Sequence, residues 1–132
     1  MSQNELPQDA KRLIADHITS VEQLEILLLL HGQPDQQWSV KAVAEQMRTS
    51  EQSAASRLAD LEARGFLKSS DGLDATYRFL PADPRRAREV DELAQVYGER
   101  RYTVIDLIFS KPIDNLRVYA DAFRFRKDDS DG

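Results

Sequence analysis

Between residues 39 and 80 the hydrophobic pattern changes period at a single glycine, Gly65. Before it apolar residues recur at helical spacing, and after it they read as strands. Ser39 is placed to cap a short helix in which Val40, Val43, Ala44 and Met47 fall at i, i+3, i+4 and i+7, a single core-facing stripe. Arg48-Thr49-Ser50 interrupts that stripe. Thr49-Ser50-Glu51-Gln52 then reads as a capping box opening a second helix, with Ala54, Leu58 and Leu61 inward and Gly65 ending it in a left-handed cap. Phe66-Leu67-Lys68 and the run from Ala75 to Leu80 are rich in strand formers, and Ser69-Ser70-Asp71-Gly72 between them is turn chemistry, so a β-hairpin follows directly. The second helix is thereby fixed between a packed partner helix and a twisted flap.

The flanks read as helices. Residues 1 to about 10 are polar, contain Pro7 and suggest a frayed arm; a first helix from about Asp9 to Ile18 places Ala10, Leu13, Ile14 and His17 on one side. Ser20-Val21-Glu22-Gln23 is another capping box, so the next helix starts at Val21. It is apolar on nearly all sides from Leu24 to Leu30 and stops at Gly32 and Pro34, as a central, multiply covered helix does. After the hairpin, Pro84 suits the first turn of a long helix to about Phe109, whose Val90, Leu93, Tyr97, Val104 and Ile108 keep roughly heptad spacing, interrupted by Arg101. Ser110 and Pro112 open a last helix with Ile113, Leu116, Ala120 and Phe123 as its stripe, ahead of a charged tail from Lys127 to Gly132. At 132 residues one domain is expected, mainly α with a small β-hairpin.

The order helix, helix, helix, hairpin resembles a winged helix-turn-helix, and residues 20–80 are similar to bacterial regulators of the MarR and ArsR types. The most specific stretch runs from Ser50 to Leu67: a capped, Ser-rich helix with two core leucines, Leu58 and Leu61, a terminal glycine, Gly65, and the apolar pair Phe66-Leu67 entering the wing. The resemblance implies a DNA-binding transcription regulator whose recognition helix lies in a major groove. It implies Thr49, Ser50, Gln52, Ser53, Ser56 and Arg57 near the base edges, with Arg48, Lys68 and Arg78 at phosphates. It also implies a homodimer with twofold symmetry built from the terminal helices, residues 84–126. Leu93, Tyr97, Val104, Ile108, Leu116 and Phe123 are the residues expected in that interface. The chain departs from the pattern in two places. Glu51 and Asp60 sit on or near the exposed side of the recognition helix, and the wing tip carries Asp71 and Asp74 with no Lys or Arg. A winged-helix adaptor that docks a protein is the alternative these departures leave open.

Charge excludes DNA binding by bulk attraction: 18 basic and 23 acidic residues give a net charge of -5, and residues 39–80 carry six of each sign. Any DNA-binding face there arises from arrangement rather than excess. Arg85, Arg86, Arg88, Arg100 and Arg101 are expected to be solvated or to pair at helical spacing with Asp91, Glu92 and Glu99. No apolar run approaches the roughly 20 residues a bilayer requires, no leader-like segment opens the chain, and cysteine is absent, so a cytoplasmic protein without disulfides or thiolate metal sites is expected. The five glycines form neither a phosphate loop nor a dinucleotide fingerprint, no serine lies in a nucleophile elbow, and the two histidines fall on different helices. His31, in a last helical turn, suits the helix dipole. Neither an enzyme, a cofactor nor a metal is indicated.

Overall fold

Four side chains mark where helices begin. The Ser20, Ser39 and Ser50 hydroxyls each accept a backbone N–H three residues on, from Gln23, Ala42 and Ser53, all at 3.0 Å, and the Asp83 carboxylate accepts from Arg86 N–H at 2.8 Å. A computed structural model describes residues 6–110. In chain order these form α1 (Gln8–His17), α2 (Val21–Gly32), β1 (Trp38–Ser39), α3 (Val40–Met47), α4 (Glu51–Ala63), β2 (Leu67–Ser69), β3 (Thr76–Phe79), α5 (Pro84–Glu99) and α6 (Arg101–Phe109).

The cap of α4 is one residue later than expected: Ser50, not Thr49, is the capping residue. The N-terminal arm is also shorter than expected, since Leu6 is buried and α1 begins directly after Pro7. α2 runs through the middle, burying Gln23, Leu24, Ile26, Leu27 and Leu30. α4 packs on both α2 and α3, while α1 packs on α5 and α6. α4 inserts Ala54, Leu58 and Leu61, none with any exposed surface, beside Phe66. Gly65 has φ +90, and a Cβ there would stand 3.3 Å from Ala82 Cβ, so the position requires glycine on both backbone and packing grounds. Phe66 N–H closes the helix end on Leu61 C=O at 3.0 Å.

The expected hairpin is part of a larger sheet. β2 and β3 pair antiparallel with Leu67 opposite Phe79, Lys68 opposite Arg78 and Ser69 opposite Tyr77. On the other edge of β3 lies β1, with Trp38 opposite Tyr77 and Ser39 opposite Thr76, giving the order β1-β3-β2. Ser69 is thus a strand residue rather than the start of the turn. The two-residue β1 leads straight into α3 and ties the front of the helix-turn-helix to the wing.

The expected long helix after Pro84 is two helices. α5 ends at Glu99, Arg100 takes φ -134 and ψ 53, and α6 starts at Arg101. The break falls beside the expected interruption: Arg101, the first residue of α6, reaches Glu25 Oε2 at 3.2 Å and lies over the Tyr97 ring. Gly98, a poor helix former, precedes the break. Val104 and Ile108 keep their places in the core. Ser110 closes α6, and the expected last helix, with Leu116 and Phe123, lies outside the described residues.

Candidate nucleic-acid interface

α4 stands on its buried side chains and turns a neutral, nearly smooth strip away from the body. Gln52, Ser56, Ala59 and Ala63 are all exposed, and they fall opposite Ala54, Leu58 and Leu61 at 100° per residue. Alanines beyond the two polar side chains allow close approach of a ligand surface along the helix. Glu51 is exposed at the first turn.

The two flanks of α4 are occupied. On the α2 side, Glu22 Oε1 accepts from the Ser53 hydroxyl and from Arg57 Nε at 3.2 Å. Bonding from Ser53 first, and then from Thr49 and Arg57, holds the Glu22 carboxyl below its ordinary value against an opposing contribution from burial. Farther along, Asp60 accepts from Arg64 Nε at 3.0 Å and from Gln23 Nε2 at 2.7 Å. On the wing side, Glu62 Oε2 accepts both the backbone N–H and the hydroxyl of Ser69, at 2.9 and 2.7 Å, which bolts β2 to the helix. The expected repulsion from Asp60 therefore changes character: its charge is matched by Arg64 and turned off the outer strip.

Three of the expected cations stand without an ion pair among the described residues: Arg48, Lys68 and Arg78, all exposed. Arg48 ends α3 at φ 55 and ψ 48, a left-handed conformation that ordinarily favours glycine or asparagine. Lys68 and Arg78 are direct cross-strand neighbours. Like charges so placed repel, and no acidic side chain among the described residues forms an ion pair with either. With Gln37, Ser69, Ser70 and Thr76 they line an open groove of about 260 Å3 on the wing face. Thr76 Oγ1 donates to Gln37 Oε1 at 2.9 Å there. Beyond the groove, Asp71, Leu73 and Asp74 are exposed at the wing tip, and Gly72 turns the chain at φ +119.

The sequence-derived set of nine is thus divided. Gln52 and Ser56 face outward, Arg48, Lys68 and Arg78 are unpaired cations around them, Ser50 is engaged as a helix cap, and Thr49, Ser53 and Arg57 are gathered by Glu22. Arg57 does not point freely outward as expected. Glu22, Gln37 and Glu62 were missed, because nothing local in the sequence links them to partners 31, 39 and 7 residues away.

The expected interface stripe is also placed differently. Leu93 and Val104 have no exposed surface and Ile108 almost none, so they belong to the core of the protomer itself. Tyr97 is half-buried and donates to Glu25 Oε2 at 2.6 Å; burial, then the bond and charge of Glu25, push its hydroxyl up to about 12. The large apolar side chains left outside on α6 are Tyr102 and Phe109, 81% and 72% exposed. Where arginines of α5 and α6 form ion pairs, the acids are not the expected ones. Arg85 and Arg86 meet Glu89, Arg101 meets Glu25, and Asp91 meets His31 at 2.7 Å. No helix among the described residues is long and apolar enough to cross a membrane.

No protein-family model and no curated protein matches the chain. Solved structures do. The chain is similar to the homodimeric winged helix-turn-helix DNA-binding domain of Mb0332 from Mycobacterium bovis, a possible ArsR-family transcriptional regulator, with 22% identity, a TM-score of 0.52, and 70% of this chain and 82% of that one covered. It is similar to MepR, a transcription regulator of the Staphylococcus aureus multidrug efflux pump MepA, with 12% identity, a TM-score of 0.54, and 92% and 87% covered. It is also similar to a mutant ZitR of Lactococcus lactis, with 17% identity, a TM-score of 0.53, and 87% and 77% covered. At these identities the likeness establishes the fold: residues 6–110 contain a winged helix-turn-helix, with α3 and α4 as its two helices and β2–β3 as its wing.

Proposed function

We propose that this protein is a DNA-binding transcription regulator that works as a homodimer and acts by binding rather than catalysis. The observation that carries the reading is the outer strip of α4: Gln52 and Ser56 displayed on a small-residue surface, with Arg48, Lys68 and Arg78 unpaired around it. A glutamine in a major groove pairs bidentately with an adenine edge, and a serine contacts either a base or a phosphate. The cations supply backbone contacts that set register without reading sequence. The winged-helix neighbours support the reading, since those with matching folds are described as transcription regulators and one as homodimeric. Their company also favours a cytoplasmic protein.

Few phosphate contacts per protomer favour two copies on one duplex, with recognition helices about 34 Å apart in successive major grooves. The dimer contacts proposed here are Tyr102 and Phe109 of α6, within the C-terminal region of residues 84–126, in place of the buried stripe. Selection from random duplexes, followed by a salt titration, tests the reading. Gln52→Ala is expected to change sequence preference with unchanged thermal stability, and Tyr102→Glu with Phe109→Glu to give a monomer by light scattering that binds far more weakly. Absence of binding to any selected duplex at low salt overturns the proposal. The second reading, a protein-docking adaptor, is favoured by fully exposed Leu73 between Asp71 and Asp74. It predicts a protein partner whose binding survives high salt and is lost in Leu73→Ala.

A further inference from the structure

Glu22 is the one carboxylate that reaches across from α2 to the α4 flank where Thr49, Ser53 and Arg57 lie. It is 31 residues from Ser53 and 35 from Arg57 in the chain, so the contact exists only in the folded protein. Both partners of the ion pair are partly exposed, with Arg57 at 36% and Glu22 at 29% of side-chain surface. The pair therefore stands at the rim of the proposed interface rather than in the core, where solvent leaves it little value for stability. Its geometry is specific. Only Nε of the guanidinium is engaged, and neither terminal nitrogen has a partner among the described residues.

Resting on the DNA-binding reading above, we propose that Glu22 is a specificity-determining residue that withholds Arg57 from the phosphate backbone. An arginine on a helix flank has a long, flexible reach and, left alone, moves to the nearest phosphates, where it adds affinity for any sequence. Held by Nε, it reaches the backbone only by giving up its bond to Glu22. Its two free nitrogens remain for a site that presents acceptors in one fixed place, as a guanine edge does. The carboxylate thus lowers general affinity and raises discrimination. The neighbouring acids do different work: Asp60 is matched by Arg64, and Glu62 fastens the wing.

The test compares wild type, Glu22→Gln, Arg57→Ala and the double variant on the selected duplex and on a scrambled one across a salt series. Circular dichroism and melting confirm that all four fold. Glutamine keeps the shape and still accepts from Ser53. Glu22→Gln is expected to bind the scrambled duplex severalfold tighter, to lose part of the preference for the selected one, and to steepen the salt dependence by about 0.9 per protomer, one added phosphate contact. In the Arg57→Ala background the same substitution is expected to leave the salt slope unchanged and to raise affinity much less. If the gain is equal in both backgrounds, Glu22 acts through its own charge alone and the inference falls. If Glu22→Gln leaves preference and slope as in wild type, it falls also. Failure of the wild type itself to bind any duplex is a different result and overturns the DNA-binding reading instead.

Discussion

Gln23 has no exposed surface, yet it is a polar residue whose side chain holds three elements together through three hydrogen bonds. Its Oε1 accepts Thr19 N–H at 2.6 Å, and its Nε2 donates to His17 C=O at 3.1 Å and to Asp60 Oδ2 at 2.7 Å. The end of α1, the start of α2 and the back of α4 therefore meet on one amide. Gln23→Leu keeps the volume and removes every one of these bonds. Asp60 retains Arg64, at 3.0 Å, so its loss is small. Thr19 N–H and His17 C=O are left without their side-chain partner. Each such group costs about 1–3 kcal/mol, and the added apolar burial of leucine returns roughly 1 kcal/mol. The net expectation is a loss of about 3 kcal/mol. Against a total stability of about 5–15 kcal/mol for a domain of this class, that is large. At roughly 4 °C per kcal/mol for a chain of this length, the melting midpoint drops by about 12 °C. Calorimetry or circular dichroism reads it directly. Gln23→Glu is the control: it puts a carboxylate against Asp60 and the His17 carbonyl and is expected to be worse still. A Gln23→Leu midpoint within 3 °C of wild type, on a scale of about 4 °C per kcal/mol, would refute the reasoning, because the three bonds would then contribute no more than water does.

Two further outcomes follow from single positions. Arg48→Gly removes a side chain from a left-handed position at φ 55 and is expected to raise stability by about 1 kcal/mol, while weakening DNA binding and lowering the salt slope by about 0.9 per protomer; melting and a salt titration on the same variant check both signs. The His17 imidazole is held below its ordinary value of 6.5, by burial above all and then by the charges of Arg86 and Arg64. The unfolded chain therefore takes up the proton first, so the contribution of His17 to stability is whole above pH 6.5 and declines as the pH falls through that value. His17→Phe is expected to flatten the melting midpoint between pH 7.5 and 5, and an unchanged acid slope refutes the assignment.

What could be read from the sequence was whatever is decided within a few residues. Ser20, Ser39 and Gly65 declare helix ends through contacts three to five residues long, and the structure puts each where it was expected. Leu58 and Leu61 declare the inner face of α4 by periodicity alone. Elements whose reasons are distant were missed. β1 is two residues long and exists because Tyr77 and Thr76, almost forty positions away, offer an edge. Beyond the break after Glu99, Arg101 meets Glu25, 76 residues away. In the candidate site the same division holds. The outward direction of Gln52 and Ser56 is legible because helical spacing fixes it, whereas Arg57 is expected on the outside because no local rule places Glu22 beside it. The stripe of α5 and α6 was correctly read as apolar, but periodicity does not say whether the surface that covers it belongs to the same chain or to another.

The same distinction governs how the acidic balance bears on function. A net charge of -5 argues against DNA only if charges act as a sum, and close to a surface they do not. At physiological salt a charge is felt over about 8 Å, and an acid bonded to a nearby cation presents a dipole, whose field fades faster than that of a lone charge. Around α4, Glu22 and Asp60 are held by Arg57 and Arg64, while Arg48, Lys68 and Arg78 are held by no acid among the described residues. Glu51 at the first turn of α4 and Asp71 and Asp74 at the wing tip are exposed as well, so what a duplex meets there depends on where these charges stand rather than on the net charge of the chain. The magnitude is limited, with roughly three phosphate contacts per protomer and about twice that in a dimer, so log affinity is expected to fall against log salt with a slope near -5. A slope near -10 would mean that cations beyond this face carry the binding, and a slope near zero would mean that the three unpaired cations never touch a phosphate. In either case the partnering of charges around α4, rather than their total, would have been the wrong basis for locating the interface.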